Sequence, residues 1–139
     1  MYTRRMATKQ VSLNWDSQES FTVQDRDGHR IPINGAGRVG ASDLLVMSLI
    51  GCSSHDVVEI LRKQRQELSQ LKVSAEAVQD DDPPWKFRKI SIRFQVIGKG
   101  IDPEKVRKAI ELSEEKYCSV YVTLKDVVEI TNEFEVLEG

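Results

Sequence analysis

Two cysteines, Cys52 and Cys118, are the residues of this 139-residue sequence best suited to chemistry. In a reducing compartment such a pair is rarely a structural disulfide, because glutathione and thioredoxin keep thiols reduced. Two interpretations are open: both side chains are small buried hydrophobes, or Cys52 is a reactive thiol and Cys118 is its partner. Oxidation of Cys52 would give a sulfenic acid, which a second thiol converts to a disulfide. The two cysteines are 66 residues apart, so only the fold can bring them together.

A reactive cysteine needs a positive charge beside it, because a free thiol has a pKa of about 8.5 and only the thiolate attacks efficiently. His55 follows Cys52 by three residues and shares its helix face. An ordinary imidazole is only partly protonated at neutral pH, so a structural hydrogen-bonding role is the alternative for His55. A guanidinium is always charged and at about 4 Å contributes roughly 4 kcal/mol at an effective dielectric of about 20. Arg30 and Arg38 are therefore the better candidates, and the sequence does not choose between them.

The region before Cys52 predicts a strand meander followed by a long helix. Alternating polar and apolar residues predict three strands, and Pro32 makes the third an edge strand. Ser42 is the predicted helix N-cap, with Asp43 in the first turn. Gly51 predicts a close approach of another backbone. The predicted strands span residues 10–15, 20–24 and 29–34, and the predicted helix spans residues 43–66.

The first half of this helix, residues 44–50, is apolar nearly all round, so one subunit is not expected to cover it alone. Further strands at 71–78 and 87–97 are predicted to form an antiparallel pair. Asp102 and Pro103 then start a second helix, residues 119–125 fit either a helical turn or extended chain, and residues 127–136 read as a closing strand. The predicted buried side of the second helix consists of Val106, Ala109, Ile110, Ser113 and Tyr117.

Length and charge narrow the function classes. A chain of 139 residues predicts a single domain, residues 1–139. Lys plus Arg number 20 against 22 for Asp plus Glu, so there is no basic stripe for nucleic acid. The N-terminus lacks the apolar run of a signal peptide, and the stretch 44–50 is too short for a membrane span, so we expect a cytoplasmic protein. The acidic residues 80–82 lack metal-ligand spacing, and neither a metal nor a cofactor is expected.

Four segments around the two cysteines carry a recognisable pattern: Ser42-Asp43-Leu44-Leu45, the run from Gly51 to Val58, Leu61-Arg62-Lys63-Gln64-Arg65, and the run from Leu112 to Val120. These segments resemble the OsmC-like and organic hydroperoxide resistance (Ohr) proteins, in particular the YhfA-like subgroup. Together with the order of strands and helices, the resemblance covers almost the whole chain.

This resemblance implies an α+β OsmC-like fold in which antiparallel sheets wrap around a long central helix in an intertwined homodimer, with each active site at the subunit interface. Family peroxidases reduce organic hydroperoxides with the first cysteine as nucleophile and the second as resolver, and a glutamate before the central helix holds an arginine. Cys52 and Cys118 match these cysteines. The glutamate position, ten residues before the nucleophile, is Ser42 here. Asp43 lies nine residues before Cys52, and at about 100° per residue it is on the opposite side of the helix from Cys52. Asp43 is therefore either the candidate carboxylate or only a capping residue.

The leading prediction is therefore a thiol-dependent peroxidase of oxidative-stress defence. Its implied partners are a second copy of the chain, an organic hydroperoxide and a dithiol reductant, for which a lipoyl-type dithiol is one candidate; nucleic acid and membranes are not expected. Two alternatives stay open at this point. The protein could be a non-catalytic binder of a small apolar or acidic ligand, with the cysteines as lining, or a redox sensor whose disulfide changes a partner interaction.

Overall fold

The computed structural model describes residues 6–17 and 20–139 and has the predicted α+β class, with two sheets and a long helix. The chain forms two compact units, one reaching to Leu44 and the other running from Leu45 to Gly139. The prediction of one domain over residues 1–139 stays a prediction.

The N-terminal unit contains the predicted antiparallel meander. Its strands are β1 (Val11–Asp16), β2 (Ser20–Asp25) and β3 (Arg30–Ile33), in the order β1-β2-β3. The connection between β1 and β2 includes residues 18–19, which lie outside the described residues. Cross-strand partners share one face of a sheet, so the register gives this sheet an apolar face. Its rows are Leu13, Val23 and Ile31, and Trp15, Phe21 and Ile33.

The long helix α1 spans Ala41–Lys63, so both predicted ends are shifted. The amide of Leu44 donates to the carbonyl of Gly40, which makes Gly40 the N-cap in place of Ser42. At the other end Arg65 has a φ of 59° and terminates the helix. Its amide donates to Arg62 O and the next amide, of Gln66, donates to Leu61 O, which is the Schellman pattern with arginine at the position that glycine usually takes.

The C-terminal unit contains a three-stranded sheet, whose strands are β4 (Glu67–Gln79), β5 (Phe87–Lys99) and β6 (Glu129–Glu138). Their order in the sheet is β4-β5-β6. The β4–β5 pair is antiparallel, as predicted, but β5 and β6 are parallel, so the second sheet is mixed. A parallel pair needs a crossover connection, which the helices between β5 and β6 provide.

Three helical segments make this crossover. They are α2 (Pro103–Leu112), a π turn (Ser113–Tyr117) and α3 (Ser119–Leu124), which makes residues 119–124 helical. Asp102 caps α2 as predicted, since its Oδ1 accepts from the amide of Glu104 at 2.9 Å. The predicted burial of Tyr117 is wrong: its side chain is 60% exposed. In the π turn Cys118 N donates to Ser113 O five residues back, so the helix widens and Tyr117 leaves the buried side.

One hydrophobic core lies in the C-terminal unit between α1, β5 and α2. Alternate residues of β5 point into it, as their period of two requires. Within this unit a Cβ on Gly51 would meet nothing within 4 Å, so the predicted close approach at Gly51 is not found. The core contains Leu49, Val57 and Leu61 from α1, Ile90, Ile92, Phe94 and Val96 from β5, and Val106, Ala109 and Ile110 from α2.

The apolar character of α1 extends further than the stretch 44–50 indicated. An 18-residue window of the helix has a mean hydropathy of 1.6, so by length and composition it could cross a membrane. Its packing into the core makes it the core helix of a small α+β fold. Only 22% of that window is buried within one chain, so most of its side chains are at least partly exposed.

Gly98→Ala is expected to lower the free energy of unfolding by about 1–3 kcal/mol, because the pair β4–β5 must separate locally to admit a methyl group. A Cβ on Gly98 would clash with the carbonyl oxygen of Glu67 on the neighbouring strand. Urea unfolding measures the change. Lys99→Ala, at the exposed neighbouring position, is the control and should stay within about 0.5 kcal/mol. An equal effect of both variants would contradict the close approach at Gly98.

Candidate active site

The two cysteines lie side by side. The sulfur atoms of Cys52 and Cys118 and a carboxylate oxygen of Asp56 all lie within 4.8 Å of one another. Both cysteines are free thiols; Cys52 is half-buried and Cys118 is buried. A disulfide bond is about 2.05 Å long, so small side-chain movements separate this pair from bond formation. The two-thiol mechanism inferred from the sequence requires this proximity, which the sequence alone could not demonstrate.

Helix α1 supplies one side of the site. Cys52 and Asp56 are four residues apart and therefore share a face of the helix. Ser53, between them, is buried, and its hydroxyl donates to the sulfur of Cys118 at 3.6 Å. The helix thus presents a thiol, a hydroxyl and a carboxylate to the second cysteine.

The π turn supplies the other side. Its defining bond, from Cys118 N to Ser113 O at 2.8 Å, ends the helical path, and Cys118 then adopts an extended backbone with φ −84° and ψ 101°. This conformation makes Cys118 the N-cap of α3, where its sulfur accepts from the amide of Tyr121 at 3.3 Å. The widened turn therefore fixes the position of the second sulfur.

Asp56 is held in place from the same turn. The hydroxyl of Ser113, which is 1% exposed, donates to Asp56 Oδ2 at 2.7 Å. In the described parts of the chain no ion pair includes Asp56. The carboxylate is thus oriented by a hydroxyl while lying next to both sulfurs.

Burial raises the pKa of the Cys118 thiol, and the hydrogen bond with Cys52 raises it further. The bonds from Tyr121 N and the Ser53 hydroxyl act in the opposite direction without reversing the shift. Cys118 is consequently a buried thiol that keeps its proton at neutral pH, which suits a partner that reacts second.

Alkylation of the reduced protein by iodoacetamide is expected to modify Cys52 well before Cys118. The reason is that Cys52 is half-buried, whereas Cys118 is buried with a raised pKa. Peptide mass spectrometry after timed quenching measures the order, and unfolding in urea should make the two rates similar. Faster labelling of Cys118 in the folded protein would contradict the assignment of Cys52 as the more reactive thiol.

His55 is exposed and lies on a groove that also includes Asp56 and has a volume of about 460 Å³. Its role in the chemistry stays a prediction. The groove is lined by His55, Asp56, Glu59, Ile60, Lys63, Gln64, Leu112 and Tyr117.

The other predicted site residues lie in the N-terminal unit. Arg30, on β3, donates through Nε to Gln24 Oε1 at 2.9 Å. Arg38 lies in the loop before α1. Asp43 is in the first turn of that helix, where its carboxylate folds toward Gly40. The assignment of Arg30, Arg38 and Asp43 to the site stays a prediction.

Sequence reasoning missed several contributors to the site. Asp56 had a usable signal, since its spacing from Cys52 places both on one helix face. Ser53 is a small polar residue in an apolar helix, which is a weak signal. Ser113 was expected only to be buried, and the bond from Tyr121 depends on a π turn that periodicity does not reveal.

Comparison with known proteins connects this site to a family. The family model described as OsmC-like protein matches residues 35–133. Protein YhfA of Escherichia coli K12 is 34% identical over 131 residues, which cover 92% of this chain and 98% of that protein. A hypothetical protein from Aquifex aeolicus VF5 has a TM-score of 0.87 at 30% identity, with 96% of this chain and 99% of that chain covered.

A more distant structure shares the fold alone. The organic hydroperoxide resistance protein OhrB of Bacillus subtilis has a TM-score of 0.62 at 15% identity, covering 93% of this chain and 98% of that chain. The matched region 35–133 includes both cysteines and the whole of α1. The chain belongs to the OsmC-like protein family.

Proposed function

We propose that this protein is a thiol-dependent peroxidase that reduces organic hydroperoxides through Cys52 and Cys118 and serves in oxidative-stress defence. The observation that carries the proposal is the placement of the two sulfurs within 4.8 Å of each other, one half-buried and one buried. Family membership and the likeness in fold to a protein named for organic hydroperoxide resistance support it.

The reaction has two steps at sulfur. The thiolate of Cys52 attacks the terminal oxygen of ROOH, the O–O bond breaks, and the leaving alkoxide takes a proton to become ROH. Cys52 is then a sulfenic acid. The thiol of Cys118 attacks its sulfur, an S–S bond forms, and the S–O bond breaks with release of water. A dithiol reductant, for which a lipoyl-type dithiol is one candidate, returns both cysteines to thiols and is itself oxidised to a disulfide.

Counting thiols tests this proposal. The reduced protein is mixed with tert-butyl hydroperoxide, and free thiols are titrated in urea at intervals. The expected result is rapid loss of both thiols of each chain, with their recovery on addition of dihydrolipoic acid. Turnover sustained by the reductant separates an enzyme from a redox sensor. Thiols that survive excess hydroperoxide would overturn the proposal.

We also propose that the protein works in the cytoplasm as a homodimer. The reason for the dimer is that a single chain leaves too much apolar surface exposed. The apolar face of the N-terminal sheet is exposed at alternate residues of β1, and α1 is only partly covered. A second copy of the same chain would cover both surfaces. The exposed apolar side chains on them are Val11, Leu13, Trp15, Ile31 and Met47.

Light scattering should therefore give a mass of twice the 15.8 kDa of one chain. Leu13→Lys places a charge on the apolar face of the N-terminal sheet and is expected to shift the protein toward monomers at micromolar concentration. Ser12→Lys adds the same charge at the adjacent exposed position, which faces the other side of the sheet, and should leave the mass unchanged. A monomeric wild-type protein would contradict the dimer.

The groove beside His55 favours small-ligand binding as a second candidate. Gln64 lines this groove, and its Oε1 atom is buried and, in the part of the chain that the structure describes, has no hydrogen-bond partner. Such an acceptor is suited to a ligand that carries a donor. Under this alternative the thiols would survive the hydroperoxide test above.

A further inference from the structure

We propose that the reduced protein binds one Zn²⁺ ion through Cys52, Cys118 and Asp56. The three ligand atoms come from α1 and from the end of the π turn, and all of them lie within 4.8 Å of one another. Two thiolates and one carboxylate form a donor set that suits a borderline-soft, tetrahedral cation. This inference does not rest on the peroxidase proposal, because it concerns the reduced protein without any oxidant.

The spacing of the three ligand atoms, at most 4.8 Å, is compatible with a zinc site. Zinc binds sulfur at about 2.3 Å and carboxylate oxygen at about 2.0–2.2 Å, which puts neighbouring ligand atoms of a tetrahedron about 3.5–3.8 Å apart. The three ligand atoms are at most 4.8 Å apart, so movements of about 1 Å bring them to these spacings. Side-chain rotation at exposed or half-buried positions such as Cys52 supplies movements of this size.

The surroundings orient the ligands. Ser113 Oγ donates to Asp56 Oδ2 at 2.7 Å and so holds the carboxylate, which keeps lone pairs for a cation. Ser53 and the amide of Tyr121 both donate to the sulfur of Cys118, so they support negative charge on it. Hydrogen bonds of this kind to ligand atoms are typical of metal sites in proteins.

Binding converts both thiols to thiolates and releases their two protons to solvent, while Asp56 binds as its carboxylate. The fourth position of the tetrahedron is left for water, which reaches the site on the side of the half-buried Cys52. A bound zinc ion would occupy both thiols, and therefore keep them from oxidation until it leaves.

Metal binding is measured on the fully reduced protein under anaerobic conditions. Zn²⁺ is titrated against a chromophoric chelator, and Co²⁺ is used as a spectroscopic substitute. The expected result is one metal ion per chain and a sulfur-to-cobalt charge-transfer band in the near ultraviolet. Cys52→Ser and Cys118→Ser should each weaken zinc binding by about 100-fold, and Asp56→Asn by about tenfold. Oxidation of the pair to a disulfide should abolish binding.

The matched control is His29→Ala. His29, Asp25 and Asp27 form an exposed group at a hairpin turn whose ligand atoms also lie within 4.8 Å of one another, so a metal bound there would be lost in this variant. We expect His29→Ala to bind zinc like the wild type. Loss of binding in His29→Ala, or a wild-type cobalt complex without the charge-transfer band, would overturn the proposal even where a cysteine variant fails to fold. Survival of the thiols in hydroperoxide would overturn only the peroxidase.

Discussion

Cys52→Ser is expected to lower the rate of organic hydroperoxide reduction by about 1000-fold or more, which would leave only the uncatalysed reaction. A serine hydroxyl stays protonated at neutral pH and cannot form a sulfenic acid, so the first step of the proposed cycle is lost. The substitution is nearly isosteric at a half-buried position, and the free energy of unfolding should change by less than about 1 kcal/mol. Steady-state assays with tert-butyl hydroperoxide and dihydrolipoic acid measure the rate.

Cys118→Ser is the matched variant, and it should fail differently. Its Cys52 still reacts once, so one thiol is lost and a sulfenic acid accumulates that dimedone traps and mass spectrometry locates. Prolonged exposure should carry Cys52 to the sulfinic acid. Retained turnover in Cys52→Ser, or dimedone labelling at Cys118 in that variant, would mean that the nucleophile has been assigned to the wrong cysteine.

Phe94→Ala is expected to lower the free energy of unfolding by about 3–5 kcal/mol, because the largest fully buried side chain of the core would be replaced by a cavity. Phe94 is 1% exposed and lies on β5, the central strand of its sheet, where it pairs with Phe134 of β6. Unfolding in urea, followed by circular dichroism, measures the change. A loss of this size is a large part of the stability of a domain of this length.

Leu137→Ala provides the comparison for Phe94→Ala. Leu137 lies on the adjacent strand β6 but is 41% exposed, so its truncation removes less buried surface and should cost about 1 kcal/mol or less. Similar losses for the two variants would show that the core is not centred on β5.

Much of the fold was predictable because local patterns decide it. The meander follows from strict alternation in short segments, and α2 begins at Asp102 because aspartate followed by proline is a strong local start signal. The start of α1 was misplaced because Gly40 accepts the first helical bond although Ser42 has the better capping side chain. The parallel pairing of β6 could not be predicted, since strand direction depends on how the intervening helices cross the sheet.

The candidate active site was predictable only in part, because its geometry also depends on tertiary packing. The residue types and a family resemblance pointed to Cys52 and Cys118, but their contact depends on a π turn whose extra residue leaves no mark on helical periodicity. The same turn exposed Tyr117, which an α-helical continuation would have buried. The spacing of Asp56 from Cys52 places both on one helix face, yet the position of its carboxylate next to both sulfurs depends on tertiary packing against Ser113.

A disulfide map tests the pairing of Cys52 with Cys118 most directly. The reduced protein is treated with one equivalent of tert-butyl hydroperoxide, alkylated in urea and digested, and the peptides are identified by mass spectrometry without reduction. The expected result is a single new cross-linked product that joins the peptide containing Cys52 to the peptide containing Cys118. Recovery of both cysteines as alkylated thiols, or of Cys52 as a sulfinic or sulfonic acid with Cys118 still free, would contradict it.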